Sequence, residues 1–184
     1  MSVYDYNRTY DDVTKGFATE ASHVFEASLL CIEHCVSQLS DQQLWWRPLP
    51  EMNSIANLLL HLAGNVGQWV NAAVENTATT RNRPAEFAHR GPINKDQLMT
   101  SLRDAVARAR RSIESIQSPD QLLQTRRVQG NNTNLLTAIF HSASHFEGHT
   151  QEIIAMTRQI KKEQYKFLWQ PKSPEETSAN GSKV

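Results

Sequence analysis

Apolar residues recur at three- and four-residue steps through VFEASLLCIEHCVSQL, Val24 to Leu39. That period predicts an amphipathic helix from about Tyr10 to Leu39. The run LSDQQLWWRPLPEMNS breaks it, because Pro48 and Pro50 cannot continue a helix, so a connection with one short turn is expected there. Asn53 or Ser54 then offers an N-cap for IANLLLHLAGNVGQWVNAAVE. This segment is apolar nearly all round through Leu62, the mark of a buried helix. Gly64 and Gly67 weaken it by about 1 kcal/mol each relative to alanine. Their small size would let another element, or a ligand, come close.

Residues 77–93, TATTRNRPAEFAHRGPI, show no period and hold two prolines and a glycine. They read as a long loop, and long loops often cover a site. A third, polar and arginine-rich helix is expected from Asn94 to about Gln117. SPDQLLQTRRVQGNNT reads as irregular, with a short extended piece at Gln124–Val128. A fourth helix should start near Thr133 or Asn134 and run through LLTAIFHSASHFEGHTQEIIAMTRQIKK. The closing PKSPEETSANGSKV is polar and rich in Pro and Ser, and is expected to be a disordered tail over 171–184. Four long helices with partly long connections indicate an all-α fold, a four-helix bundle forming a single domain over 1–170.

Composition changes this picture little. The chain has 184 residues, 39% hydrophobic content, and 19 basic against 19 acidic residues. Zero formal charge gives no sign of nucleic acid as a partner. No apolar run approaches the ~20 residues of a spanning helix, so no membrane partner is expected. The first stretch, MSVYDYNRTYDDVTKGF, lacks the apolar core of a signal peptide, and a cytoplasmic location is the expectation. Cys31 and Cys35, four apart on the first helix, read as buried thiols rather than a disulfide, with a redox or metal pair as the lesser alternative.

The seven histidines matter more. HSASHFEGHTQ sets His141, His145 and His149 at steps of four, which a helix gathers on one face. Each step rises about 6 Å, so the outer two lie about 12 Å apart and only one adjacent pair can hold one ion. An i, i+4 pair is an incomplete zinc-class site, so a third ligand must come from another helix. His61, inside NLLLHLAGN, is the candidate, since a buried imidazole needs a partner. A hydrogen-bonded core histidine is the bland alternative for each. His23, His34 and His89 carry no such pattern. HFEGH is not HExxH, GNVG lies within a helix rather than after a strand, and no nucleophile motif surrounds Ser142 or Ser144. Glu147 is turned away from the histidine face. Asn65 and Trp69 follow His61 at steps of four and are candidates to border a pocket. Trp45, Trp46 and Arg47 read as core packing and a local salt bridge.

LSDQQLWWRP, NSIANLLLHLAGNVGQWV, RNRPAEFAHRGP and AIFHSASHFEGHTQEII, in this order and separation, resemble the DinB-like (DinB/YfiT) superfamily of metalloenzymes. The likeness covers roughly residues 10–165 and is strongest to a bacterial branch known only as a domain of unknown function. It implies a dimeric four-helix bundle with a divalent metal, zinc or nickel foremost, on three histidines. By motif these are His61, His145 and His149, and His141 is left to the pocket or to a hydrogen bond behind the ligands. The resemblance further implies a small-molecule substrate and chemistry like that of the thiol-dependent members. There an open metal position activates a low-molecular-weight thiol for S-transfer. A hydrolase using water at that position, or a non-catalytic metal- or ligand-binding module, are the alternatives. One departure stands out: relatives commonly follow the last ligand with Thr-Gly-Gln, whereas this chain has Thr150-Gln151-Glu152.

Overall fold

The computed structural model describes residues 8–169. Helix α1 spans Val13–Ser37, and a single turn, α2, spans Asp41–Leu44. Helix α3, Ile55–Val66, passes through a π-helical segment, Gly67–Ala72, into α4, Ala73–Glu75. After α5, Arg83–Ala88, come α6, Lys95–Glu114, and the turn α7, Pro119–Leu122. Strands β1, Thr125–Val128, and β2, Asn131–Asn134, form a hairpin that leads into α8, Leu135–Lys161. The expected disordered tail lies outside the described residues.

Local chemistry sets the helix starts. Asp12, Ser54, Asn94 and Asn134 cap α1, α3, α6 and α8, each side chain accepting from the backbone N–H three residues on. Each such cap contributes about 1 kcal/mol by satisfying an otherwise unpaired donor. Ser54 and Asn57 complete a reciprocal capping box. The first helix therefore starts at Val13 rather than Tyr10, because Asp12 takes the cap position.

Four rods close into a ring in which α1 packs on α6 and α8, and α3 packs on α6 and α8. The core between them holds Phe25 and Ile32 from α1, Leu58, Leu59, Leu62 and Val66 from α3, Leu98, Leu102 and Ile113 from α6, and Ile139, Phe146 and Ile153 from α8. Each such side chain, fully removed from water, contributes roughly 1.5–3 kcal/mol. Phe25 meets Phe146 edge-on at 5.4 Å between ring centroids. Because Phe146 is buried at the centre, its helical neighbour His145 is set at the margin of the core, half-buried. Cys31 and Cys35 are both buried as thiols.

Two segments depart from the sequence reading. The 77–93 loop contains a helix, α5, started by Asn82 as N-cap with Pro84 in the first turn. None of its residues is buried, so it leaves no hydrophobic period to find. The extended piece before α8 has a partner strand. Asn131–Asn134 pairs antiparallel with Thr125–Val128, joined by Gln129 and Gly130 at φ 52° and 84°. Positive φ at both turn residues suits the twist of a tight hairpin. Asn-Asn-Thr-Asn has poor strand propensity, so the pairing comes from the turn and not from the residues. Arg47 also differs from expectation: instead of a carboxylate it bonds the Met52 and His89 carbonyls and Asn57 Oδ1.

Candidate metal centre

His61 projects from the middle of α3 and is 2% exposed. Across the bundle, His145 and His149 stand one turn apart on α8. His61 Nε2 faces His145 Nε2 at 2.8 Å. Ring centroids lie 5.3 Å apart for His61 and His149, and 4.5 Å for His145 and His149. One nitrogen from each of the three falls within 4.8 Å of the others.

The reverse side of His61 explains its orientation. Its Nδ1 lies 2.9 Å from Glu86 Oε2. Arg81 donates to both oxygens of that carboxylate, Nε to Oε1 at 2.6 Å and Nη2 to Oε2 at 2.8 Å, and Nη1 reaches Gln68 Oε1 at 3.1 Å. Burial acts to raise the Glu86 pKa, but Arg81 and His61 together hold it below the usual carboxylate range. Arg81 Nη2 also lies 3.1 Å from His61 Nδ1, but the shorter contact to an ionised Glu86 at 2.9 Å favours the tautomer with N–H on Nδ1, which leaves Nε2 bare toward His145.

This network needs Gly64 and Asn57. A Cβ on Gly64 would sit 2.2 Å from Glu86 Oε1 and 2.8 Å from Arg81 Nε, so only glycine lets the carboxylate reach α3 here. Asn57, one turn before His61, donates to the carbonyls of Glu86 at 2.8 Å and His89 at 3.1 Å. Arg47 holds the same His89 carbonyl at 3.0 Å. Helix α5 is thus fixed on α3 through its backbone, with Glu86 turned inward. Phe87 packs on the His61 ring at 4.6 Å, and Arg83 lies over Phe87 at 4.9 Å. A cavity of about 510 Å³ bounded by Leu60, Gly64, Gly67, Arg81 and Glu86 adjoins this pair, and none of the three converging histidines lines it.

His149 is oriented by its own helix. Its Nδ1 lies 2.7 Å from Glu152 Oε2, three residues on. Among the described residues His145 has no carboxylate partner. Burial first, then the neighbouring His149, His61, His141 and Arg81, push its imidazole down to about 4, so it is neutral at pH 7 with a lone pair to share.

The remaining sequence candidates occupy different places. His141 lies outside the cluster of three: its ring stacks on His145 at 5.8 Å and meets Trp69 at 4.5 Å. Trp69 sits on the π segment, and its Nε1 donates to Gln129 Oε1 at the hairpin tip. Local π geometry of this kind is frequent next to functional sites. Asn65 is buried in the α3–α8 contact, where its Oδ1 accepts from Ser142 Oγ at 2.7 Å. Glu147 is exposed, as its place on the helix predicts. Sequence reasoning gave no role to Arg81, Glu86 or Asn57, and met Glu152 only as part of the departure from the relatives' Thr-Gly-Gln. The signal for Glu86 was the cap-and-proline start Asn82-Arg83-Pro84, and for Glu152 its i+3 spacing from His149.

Three imidazole nitrogens converging from two helices, with the opposite nitrogen of two rings on carboxylates, suit a zinc-class ion with coordination positions left open. Residues 12–174 match a family described as a protein of unknown function, DUF1572. The chain belongs to this family. Its fold is DinB-like. A DinB-like protein (YjoA) from Bacillus subtilis superposes with TM-score 0.60 at 12% identity, covering 83% of this chain and 99% of that one. A conserved protein from Enterococcus faecalis gives TM-score 0.67 at 15% identity, covering 81% and 97%. No curated protein matches the chain. Within this DUF1572 member, two of the stretches that resemble the DinB-like superfamily turn out to be partners in space. NSIANLLLHLAGN supplies Asn57, His61 and Gly64, and RNRPAEFAHRG supplies Arg81 and Glu86.

Proposed function

We propose that this protein is a metal-dependent enzyme whose divalent ion is held by His61, His145 and His149, and that it acts on a small-molecule substrate with a low-molecular-weight thiol. The carrying observation is the convergence of three ring nitrogens within 4.8 Å. Zinc or nickel suits an all-imidazole set. When bound, such an ion supplies Lewis acidity, which lowers the pKa of a thiol and makes a nucleophile at neutral pH.

The protein's own residues do the rest. Glu86, held by Arg81, keeps His61 in the tautomer with Nε2 bare. Phe87 covers the His61 ring and keeps water from that side. His141 is exposed beside His145 and Trp69, at the rim of the centre. The thiol rests on the family likeness, as do a homodimeric assembly and the pocket role of His141, whereas the pocket roles of Asn65 and Trp69 rest on their steps of four after His61 on the same helical face. No helix among the described residues is long and apolar enough to cross a membrane; a cytoplasmic location is part of the same proposal.

The test is metal analysis of protein purified without a polyhistidine tag, alone and after reconstitution, with His61→Ala, His145→Ala and His149→Ala alongside. One equivalent of metal, lost in each variant, is expected. A metal-free protein that gains none on reconstitution, or variants that keep it, overturns the proposal. Turnover of an electrophilic substrate without added thiol would instead favour hydrolysis.

A further inference from the structure

The two carboxylates behind the histidines differ in one respect. Glu86 is neutralised by Arg81, which grips both its oxygens, and the pair is nearly buried, with side chains 5% and 11% exposed. Glu152 has no such partner. Its one ion-pair contact among the described residues is His149 itself, and its side chain is 42% exposed. The third ring, His145, has no carboxylate among those residues. The carboxylate of Glu152 therefore adds a negative charge to the centre with no arginine or lysine paired to it among the described residues.

We infer that Glu152 is a positioning and specificity residue: it holds His149 with Nε2 free for the ion, and its charge fits the centre to a singly charged anionic partner. This rests on the three-histidine reading above. Consider a divalent ion, neutral imidazoles, Arg81 and both carboxylates together. The centre then carries one net positive charge, which one monoanion, such as a simple thiolate, balances. A dianion would leave an excess negative charge in a part-buried site, where charges are weakly screened. Without Glu152 the net charge becomes two, and the discrimination disappears. The count takes only groups in direct contact with the three rings or their carboxylates, and leaves out Arg83, which is exposed to solvent and lies over Phe87. Glu147 is exposed and makes no ion pair among the described residues, and His141 stacks on His145 without a carboxylate.

The experiment uses the full chain loaded with Co(II), whose visible spectrum reports its ligands. Thiocyanate, a monoanion, and thiosulfate, a dianion, are titrated at low salt against wild type, Glu152→Gln and Glu152→Ala. Nitrogen NMR of the metal-free protein reads the His149 tautomer. Glu152→Gln keeps an acceptor for Nδ1 and removes the charge. It should preserve the tautomer, weaken Co(II) binding about tenfold, and raise thiosulfate affinity about tenfold relative to thiocyanate. Glu152→Ala should show the same anion shift and also lose the single tautomer. Position 152 is at the surface, so both variants should fold, which a thermal melt checks. If both variants match wild type in anion preference and in the His149 nitrogen signature, Glu152 is only a surface ion pair and the inference falls. If wild type binds no Co(II), or His145→Ala binds it equally well, the metal reading fails and takes this inference with it.

Discussion

Glu86 sits between two partners that cannot easily do without it, which makes Glu86→Ala the sharpest test of how the centre is built. The substitution removes three charge-assisted contacts, at 2.6 and 2.8 Å to Arg81 and 2.9 Å to His61 Nδ1. It leaves the Arg81 guanidinium, 5% exposed, without a counter-charge. Removing one member of a buried ion pair costs about 3–5 kcal/mol, mainly from the charge left behind. The residual Arg81 bond to Gln68 and some water entry from the adjoining cavity place the expectation near the lower end, about 3 kcal/mol. Arg81→Ala leaves a carboxylate that can still accept from His61, so a smaller loss of about 2 kcal/mol follows. The double variant removes both charges together and should lose less than the two single losses combined, by at least about 1.5 kcal/mol. Urea unfolding of the metal-stripped protein at pH 7, followed by circular dichroism, measures all four corners of the cycle. Additive losses would mean that Arg81 and Glu86 do not act as a unit, and the account of His61 orientation would fail. The pH dependence has a definite sign. Glu86 has a depressed folded-state pKa, so its contribution is present above the ordinary carboxylate value of 4.5 and is lost as pH falls below it.

Three further outcomes are expected. For His145 in the metal-stripped protein, the folded pKa of about 4 lies below the ordinary 6.5. The unfolded chain therefore binds the extra proton first, and stability falls as pH drops from 6.5 toward 4. After solvent screening of a half-buried ring the loss is about 1–2 kcal/mol, it should vanish in His145→Phe, and a flat pH profile would refute the shift. Gly64→Ala drives a Cβ against the Glu86 carboxylate and should cost about 1–3 kcal/mol, with weaker metal binding measured by competition. Gly67→Ala meets no atom within 4 Å and has helical φ, so it should gain about 0.5–1 kcal/mol; equal effects at the two glycines would contradict the packing described. Phe146→Ala should cost about 3–5 kcal/mol through the cavity opposite Phe25, and a loss under about 1 kcal/mol in the same urea assay would argue against the core contact.

Much of this protein is legible in the chain alone. Helix starts follow from the caps Ser54, Asn94 and Asn134, because capping is a three-residue interaction that needs no tertiary contact. Helical rise makes His141 and His149 too distant to share an ion, and the apolar run around His61 marks it as a buried imidazole in need of a partner. All of this is local geometry. What the chain could not show is what meets what. That His61 faces His145 rather than a hydrogen-bonding core residue depends on how α3 crosses α8. That an exposed six-residue helix carries Glu86 to the back of His61 depends on Asn57 and Arg47 gripping its carbonyls, and on Gly64 having no side chain. Those contacts join residues far apart in the chain, His61 and Glu86 by 25 positions, and leave no period in the sequence. Glu152 lies between the two cases. Its spacing from His149 is local and readable, but that Glu86 has an arginine partner and Glu152, among the described residues, has none is decided only by which arginine the fold brings near.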